Sequence, residues 1–172
     1  MTTIYLARHG QTEENLMKIF QGHLPGTLTA EGIEQARNLG KELKDADIDC
    51  ILSSDLKRVT DTVEYAMANR HLSWERAELF REIDWGEWTG LAIDSVDKQN
   101  PPEDAETKEM LYERGRRIVE YIKEKYSERN VLVVAHGLIN RSIQAHISGI
   151  GINELYDIPL MKNGEVKKFI IS

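Results

Sequence analysis

Short apolar runs alternate along this chain with longer stretches in which apolar residues recur every three or four positions. Ile4 to Ala7 is such a run and reads as a buried strand that stops at Arg8-His9-Gly10. From Thr29, the stretch TAEGIEQARNLGKELKDA carries Ile33, Ala36, Leu39 and Leu43 on one face, which predicts an amphipathic helix with Thr29 as N-cap. IDCILSS predicts a second buried strand. SDLKRVTDTVEYAMANR predicts a second helix, capped by Ser54 or Asp55, with Leu56, Val59, Val63 and Ala66 on its apolar face. Ala77 to Phe80 reads as another short strand and WGEWTG as irregular. Beyond the break at Asn100-Pro101-Pro102, DAETKEMLYERGRRIVEYIKEKY predicts a long helix that Gly115 interrupts at some cost. NVLVVA is the clearest buried strand, and GLINRSIQAHISG a helix closed by Gly149. In the tail, Asn163-Gly164 predicts a hairpin between two strands.

Strands alternating with helices predict an α/β fold, a three-layer α/β/α sandwich. Its sheet is expected to be mostly parallel, with an antiparallel edge strand from the terminal hairpin. Without repeats, linker or low-complexity stretch, residues 1–172 are expected to form a single domain.

Composition narrows the partners. The net charge is −7 and no block of Lys or Arg appears, which argues against nucleic acid. No apolar run approaches the ~20 residues of a membrane span. One cysteine, Cys50, allows no internal disulfide and is expected to be a buried strand residue. The first strand begins at Thr3, which leaves no room for a signal peptide, so a cytoplasmic location is expected.

Ligands of such sheets bind beyond the carboxyl ends of the strands. Three predicted strands end there in RHG, SSDLKR and HG, which would gather Arg8, His9, Arg58 and His136. Forked guanidiniums match the oxygens of a phosphoryl group, helix N-termini add N–H groups, and Gly10 and Gly137 would let backbone approach a ligand. A neutral imidazole facing phosphorus can act as nucleophile if its other nitrogen donates to a carbonyl or carboxylate. A carboxylic acid nearby would protonate the leaving oxygen. Strand alternation alone favours neither histidine as nucleophile, and spacing alone does not select Glu82 over Asp84 or Glu87.

The chain resembles the histidine phosphatase superfamily, which includes cofactor-dependent phosphoglycerate mutases and fructose-2,6-bisphosphatase. The resemblance rests on ARHGQTEEN (7–15), LTAEGIEQA (28–36), SSDLKRVTDT (53–62), REIDWGEWTG (81–90) and VVAHG (133–137), in the family's order. It implies that His9 is the phosphorylated residue and that Arg8, Arg58 and His136 form the phosphate pocket, with Gly137 beside them. It further implies that Glu82 is the proton donor, that Asn15 touches the phosphate, and that Gln21 and Gly22 lie in a substrate-side loop. The family uses no metal, and His23, His71 and His146, read as loop or surface residues, form no ligand spacing with carboxylates.

The chain departs from the family pattern at HLPGTLT after Gly22, at Ala105-Glu106-Thr107 where relatives often carry Gly-Glu-Ser, and at Thr89 where many have Glu. The segment Leu91 to Asp104 is much shorter than its mutase counterpart. A mutase must exclude water while the phosphoryl group waits on histidine, so the short segment favours hydrolysis. The expected function is therefore a metal-independent phosphomonoesterase acting on a small phosphorylated metabolite. Two alternatives stand beside it: a mutase, which alone would need 2,3-bisphosphoglycerate as cofactor, and a catalytically silent phosphate-binding regulator. Trp85 and Trp88 could stack on a substrate ring or pack as lid.

Overall fold

The computed structural model describes residues 1–172. Five strands form one sheet: β1 (Thr2–Arg8), β2 (Cys50–Ser54), β3 (Ser73–Ala77), β4 (Asn130–Ala135) and β5 (Val166–Ile171). Their order is β3-β2-β4-β1-β5, parallel except for β5, which runs antiparallel to β1 at one edge. The helices are α1 (Glu13–Met17), α2 (Ala30–Glu42), α3 (Lys57–Ala66), α4 (Lys108–Lys125) and α5 (Gly137–Ser148).

The central strands are apolar without alternation because both faces are covered. Successive side chains point to opposite faces, so β4 divides its run between two cores. Val131 and Val133 join Ile4, Leu6 and Leu52 against Leu111, Ile118 and Ile122 of α4 and Ile139 and Ile143 of α5. Leu132 and Val134 join Ala7 and Ile51 against Leu39 of α2 and Val59 and Val63 of α3. The result is the expected helix–sheet–helix sandwich. Cys50 is buried in β2, and no helix is long and apolar enough to cross a membrane.

Three local readings are corrected. The edge strand β3 is Ser73–Ala77, and the apolar Glu78–Phe80 is a 3₁₀ turn that drops Phe80 into the core. An edge strand tolerates the mixed sequence SWERA, which carries no apolar run to mark it. The N-cap of α3 is Leu56, without a side-chain cap. Ser54 completes β2 and its Oγ accepts the Leu56 N–H, Asp55 pairs with Arg81, and the Pro25 carbonyl takes the Arg58 N–H. No hairpin forms in the tail: between the 3₁₀ turn at Ile152–Asp157 and the Asn163-Gly164 turn there is no strand, and β5 pairs with β1 instead. The Asn163-Gly164 turn, with Gly164 at φ 77°, ties onto the end of β1. Its Gly164 N–H faces the carbonyls of Arg8 and His9 at 3.0 and 3.1 Å, and Asn163 Nδ2 donates to His9 O.

Gly115 does not interrupt α4, which runs unbroken from the Thr107 N-cap. A Cβ there would lie 1.9 Å from Ser142 Oγ and 2.8 Å from its backbone carbon, so the glycine permits α4 and α5 to touch. Helix propensity favours Gly115→Ala by about 1 kcal/mol, whereas overpacking costs about 1–3 kcal/mol. Because part of the clash is with backbone, Gly115→Ala is expected to lower the denaturant midpoint. An unchanged or raised midpoint would show that the helix pair can separate freely.

Candidate active site

The carboxyl ends of β1, β2 and β4 converge as the strand order requires, with Arg8 paired to Ala135 in register. His9 is therefore carried out of the sheet beside His136; their ring centroids lie 5.2 Å apart at 65°. The chain can turn here because Gly10 lies directly on Gly32 in the first turn of α2. A Cβ on Gly10 would be 2.3 Å from the Gly32 carbonyl oxygen. This corrects the sequence reading: the missing side chain of Gly10 serves a helix contact, not a ligand. Thr62 of α3 locks the turn, accepting the Gly10 N–H at 3.1 Å and donating to the Arg58 carbonyl at 2.8 Å.

His9 Nδ1 lies 2.7 Å from the Gly10 carbonyl oxygen. A carbonyl only accepts, so Nδ1 carries the proton and Nε2 keeps its lone pair. His136 sits at the N-cap position of α5, its Nε2 2.8 Å from Ser54 Oγ. Ser54 Oγ accepts the Leu56 N–H and has its own hydrogen free for that nitrogen, a tautomer in which His136 Nδ1 carries the ring proton. Arg8 Nη1 donates to Met161 O at 2.7 Å; Arg58 donates to the carbonyls of Leu24 and Gly22. Three buried nitrogens remain without any partner in the protein: Arg8 Nε, Arg58 Nε and His136 Nδ1. Buried polar groups are seldom left unpaired, and an oxyanion is the ligand that two guanidiniums and an imidazole N–H suit.

Burial, followed by the nearby charges of Arg58 and Arg8, holds His9 well below the ordinary imidazole value of 6.5. Burial and Arg58 do the same for His136. Both imidazoles are thus neutral at physiological pH. Burial lowers Arg8 from its usual value and Arg58 to about 10, which leaves both charged.

Glu82 is held differently. Its carboxylate sits on the N-terminus of α5, accepting Leu138 N and Ile139 N at 3.0 Å each and its neighbour Ile83 N at 3.0 Å. The positive end of α5 that was expected to face a phosphate therefore anchors a carboxylate. Geometry separates the three acidic candidates: Glu82 lines the main cavity, Asp84 faces a smaller neighbouring depression with His23, and Glu87 is exposed.

That main cavity has a volume of about 850 Å³ and has Arg8, His9, Arg58 and Glu82 in its wall. Asn15, Gln21 and Gly22 line it too. The Asn15 carbonyl oxygen is used by the capping box of α1, accepting Thr12 N, which leaves its amide nitrogen for the cavity. Gln21 Oε1 accepts from Thr12 Oγ1, and Gly22, at φ +49°, anchors Arg58 through its carbonyl. Fully buried His136 is not itself a wall residue, but its ring stands 5.2 Å from that of His9, which is. Gly137 is not in the wall either: a Cβ there would stand 3.3 Å from Arg8 Cζ, so its bareness makes room for the guanidinium. His23 Nε2 donates to the Glu82 carbonyl, and His146 packs on Tyr112 between α4 and α5.

The short Leu91–Asp104 segment supplies Ile93, Lys98, Pro101 and Pro102 to the cavity. Thr107 caps α4 and Glu106 is paired with Arg114 through two bonds of 2.8 Å, so the Ala105-Glu106-Thr107 variation preserves a structural corner. Sequence reasoning missed Ser54 and Thr62, although both stand inside a recognised segment. It also missed Phe20, Leu138, Tyr156 and Leu160, apolar wall residues that no local pattern marks.

Comparison with known proteins agrees with this architecture. A family model described as the histidine phosphatase superfamily (branch 1) matches residues 4–172. The chain is 34% identical over 152 residues to the uncharacterized phosphatase PhoE of Bacillus subtilis, covering 87% of this chain and 79% of that protein. It is 27% identical over 161 residues to the adenosylcobalamin/alpha-ribazole phosphatase of Escherichia coli, covering 86% and 79%. The solved structure of Bacillus stearothermophilus YhfR superposes with a TM-score of 0.93 at 26% identity, covering 100% of this chain and 92% of that one.

The depressed histidines make stability depend on pH with a definite sign. Unfolded imidazoles bind protons below 6.5 while folded His9 and His136 do not, so the unfolded state gains stability there. Folding free energy is expected to fall as pH drops below that value, by at most about 1.4 kcal/mol per pH unit for each histidine. His9→Asn should flatten the decline by up to one proton's slope, read from denaturant midpoints between pH 7 and 5. An equal slope in the variant would mean that His9 is not held neutral by the fold.

Proposed function

This chain belongs to the histidine phosphatase superfamily, and from that premise we propose that it is a phosphomonoesterase working through a phosphohistidine at His9. The observation that carries this reading is the set of three buried, unpartnered nitrogens of Arg8, Arg58 and His136 around an imidazole whose Nε2 is free. The phosphatase names of the relatives support hydrolysis over isomerisation, as does the short connection between the Trp-rich motif and α4.

In the proposed cycle the ester phosphate lies against Arg8, Arg58 and His136. His9 Nε2 attacks phosphorus; the P–N bond forms as the ester P–O bond breaks. The Nδ1–H to Gly10 hydrogen bond stabilises the positive charge that develops on the ring. Glu82 gives a proton to the departing alkoxide, and the arginines hold the charge on the phosphoryl oxygens. In the second half, water attacks the phosphorus, Glu82 takes the proton, the P–N bond breaks and inorganic phosphate leaves. Asn15 is assigned to the phosphate, and Gln21 and Gly22 to positioning, Gly22 through Arg58. The imidazole supplies the nucleophile, so this route calls on no metal or organic cofactor. The substrate is a small phosphorylated metabolite, and the single buried Cys50 fits a reducing, cytoplasmic setting.

Two experiments test this reading. Phosphate release from p-nitrophenyl phosphate and a panel of metabolite phosphates, with chelator present, is expected from the wild type and to fall at least about a thousandfold in His9→Ala. Undiminished release in the pure variant contradicts the mechanism. Glu82→Gln should slow an alkyl phosphate far more than p-nitrophenyl phosphate, because a good leaving group needs no proton. Because the amide also faces the Leu138 and Ile139 N–H groups, a uniform structural loss is the competing outcome. Equal slowing of both esters would remove Glu82 as the acid.

A further inference from the structure

The cavity extends well beyond the phosphate cradle, and the wall it presents there is aromatic and apolar. Phe20 lies 4.7 Å from Trp85 and 5.2 Å from Trp88 between ring centroids, and the two indoles are 6.2 Å apart, inclined by only 29°. Phe20 is buried and both indoles are half-buried, with all three in the cavity wall. The wall starts at the cradle itself. Gly22, whose carbonyl holds Arg58, lies against Trp85: a Cβ on it would be 3.4 Å from Trp85 Cδ1. A second apolar group, Leu138, Tyr156 and Leu160, begins beside Arg8, since Leu160 and Arg8 both crowd the bare face of Gly137.

The charges in this part of the cavity are already committed or unfixed. Glu82 is bound by three backbone N–H groups and Glu106 by Arg114. Lys108 lies over the Tyr156 ring, and Lys98 and Glu109 are exposed. A phosphorylated amino acid would need a fixed carboxylate for its ammonium group and a fixed cation for its carboxylate. A phosphoglycerate would need the latter. Neither is provided beside the cradle, whereas a flat ring would find an aromatic, apolar wall.

We infer that the preferred substrate is a phosphate monoester whose leaving group carries an uncharged flat aromatic ring, seated on the Trp85–Trp88–Phe20 wall. This inference rests on the phosphatase reading and specifies its substrate class. Stacking of a ring on such a wall strengthens the enzyme–substrate complex and the transition state alike, so the effect belongs in kcat/KM, chiefly through KM.

The test compares esters that expel the same primary alkoxide with and without a ring: adenosine 5′-monophosphate against 1-O-methylribofuranoside 5-phosphate, and 2-phenylethyl phosphate against ethyl phosphate. The ring-bearing member of at least one pair is expected to have about tenfold higher kcat/KM or more. It should also exceed phosphoserine and 3-phosphoglycerate, and Trp88→Leu should bring its ratio towards one. The affinity of Trp88→Leu for inorganic phosphate, which reads the cradle, shows that its site is folded. Ratios near one in both pairs, preference for phosphoserine or 3-phosphoglycerate, or a ratio that survives Trp88→Leu would overturn the inference and leave the phosphatase reading standing. Absence of any His9-dependent hydrolysis would overturn both.

Discussion

Two guanidiniums are taken out of water at the ends of the sheet and given only part of the hydrogen bonding they need. Moving an ion into a protein interior costs on the order of several kcal/mol. Carbonyls of Met161, Leu24 and Gly22 compensate some of that for Arg8 and Arg58, but each Nε is left over, and so is His136 Nδ1. The fold sustains this deficit because the strands beneath are apolar on both faces and fully covered. Burial, reinforced by the arginine charges, keeps both imidazoles neutral, which is the state in which a histidine can attack phosphorus. In the proposed cycle a phosphoryl group relieves the deficit and meets the nucleophile in one event.

Several features distant in sequence serve this arrangement. Parallel pairing of β1 with β4 brings His9 next to His136, and the antiparallel β5 closes the far side of β1. The turn at Asn163-Gly164 holds the carbonyls of Arg8 and His9 from the other end of the chain. Thr62 joins the His9-Gly10 turn to Arg58, so one side chain ties the proposed nucleophile to one cation of its cradle. Two of the three N–H groups that hold Glu82 belong to the first turn of α5, which ties its place to a helix anchored in the core.

Much of this was legible because the chemistry sits where regular structure ends. An apolar run that stops at Arg-His-Gly, and another that stops at His-Gly, put two histidines at the same sheet end whatever the loops do. The helices from Thr29 and the strand at Asn130–Ala135 were equally plain, since both have strong periodicity or continuous burial. What was misread depends on contacts between segments remote in sequence. Asn163-Gly164 has the composition of a hairpin, but its hydrogen-bond partners lie more than 150 residues earlier. Gly10, Gly115 and Gly137 are bare for the sake of Gly32, Ser142 and Arg8, neighbours that spacing does not reveal. The choice of Glu82 over Asp84 and Glu87 came from the family resemblance, and its physical basis, the N-terminus of α5, is a tertiary fact.

The central claim is a covalent bond between phosphorus and His9 Nε2. Rapid acid-free quenching of the enzyme during turnover of a labelled monoester, followed by peptide mapping, tests it most directly. The account predicts one label per chain on His9, stable to base and lost in acid as a phosphoramidate is, and no label in His9→Ala. A label on another residue, or rapid phosphate release with no phosphoenzyme in wild type or in Glu82→Gln, would contradict it.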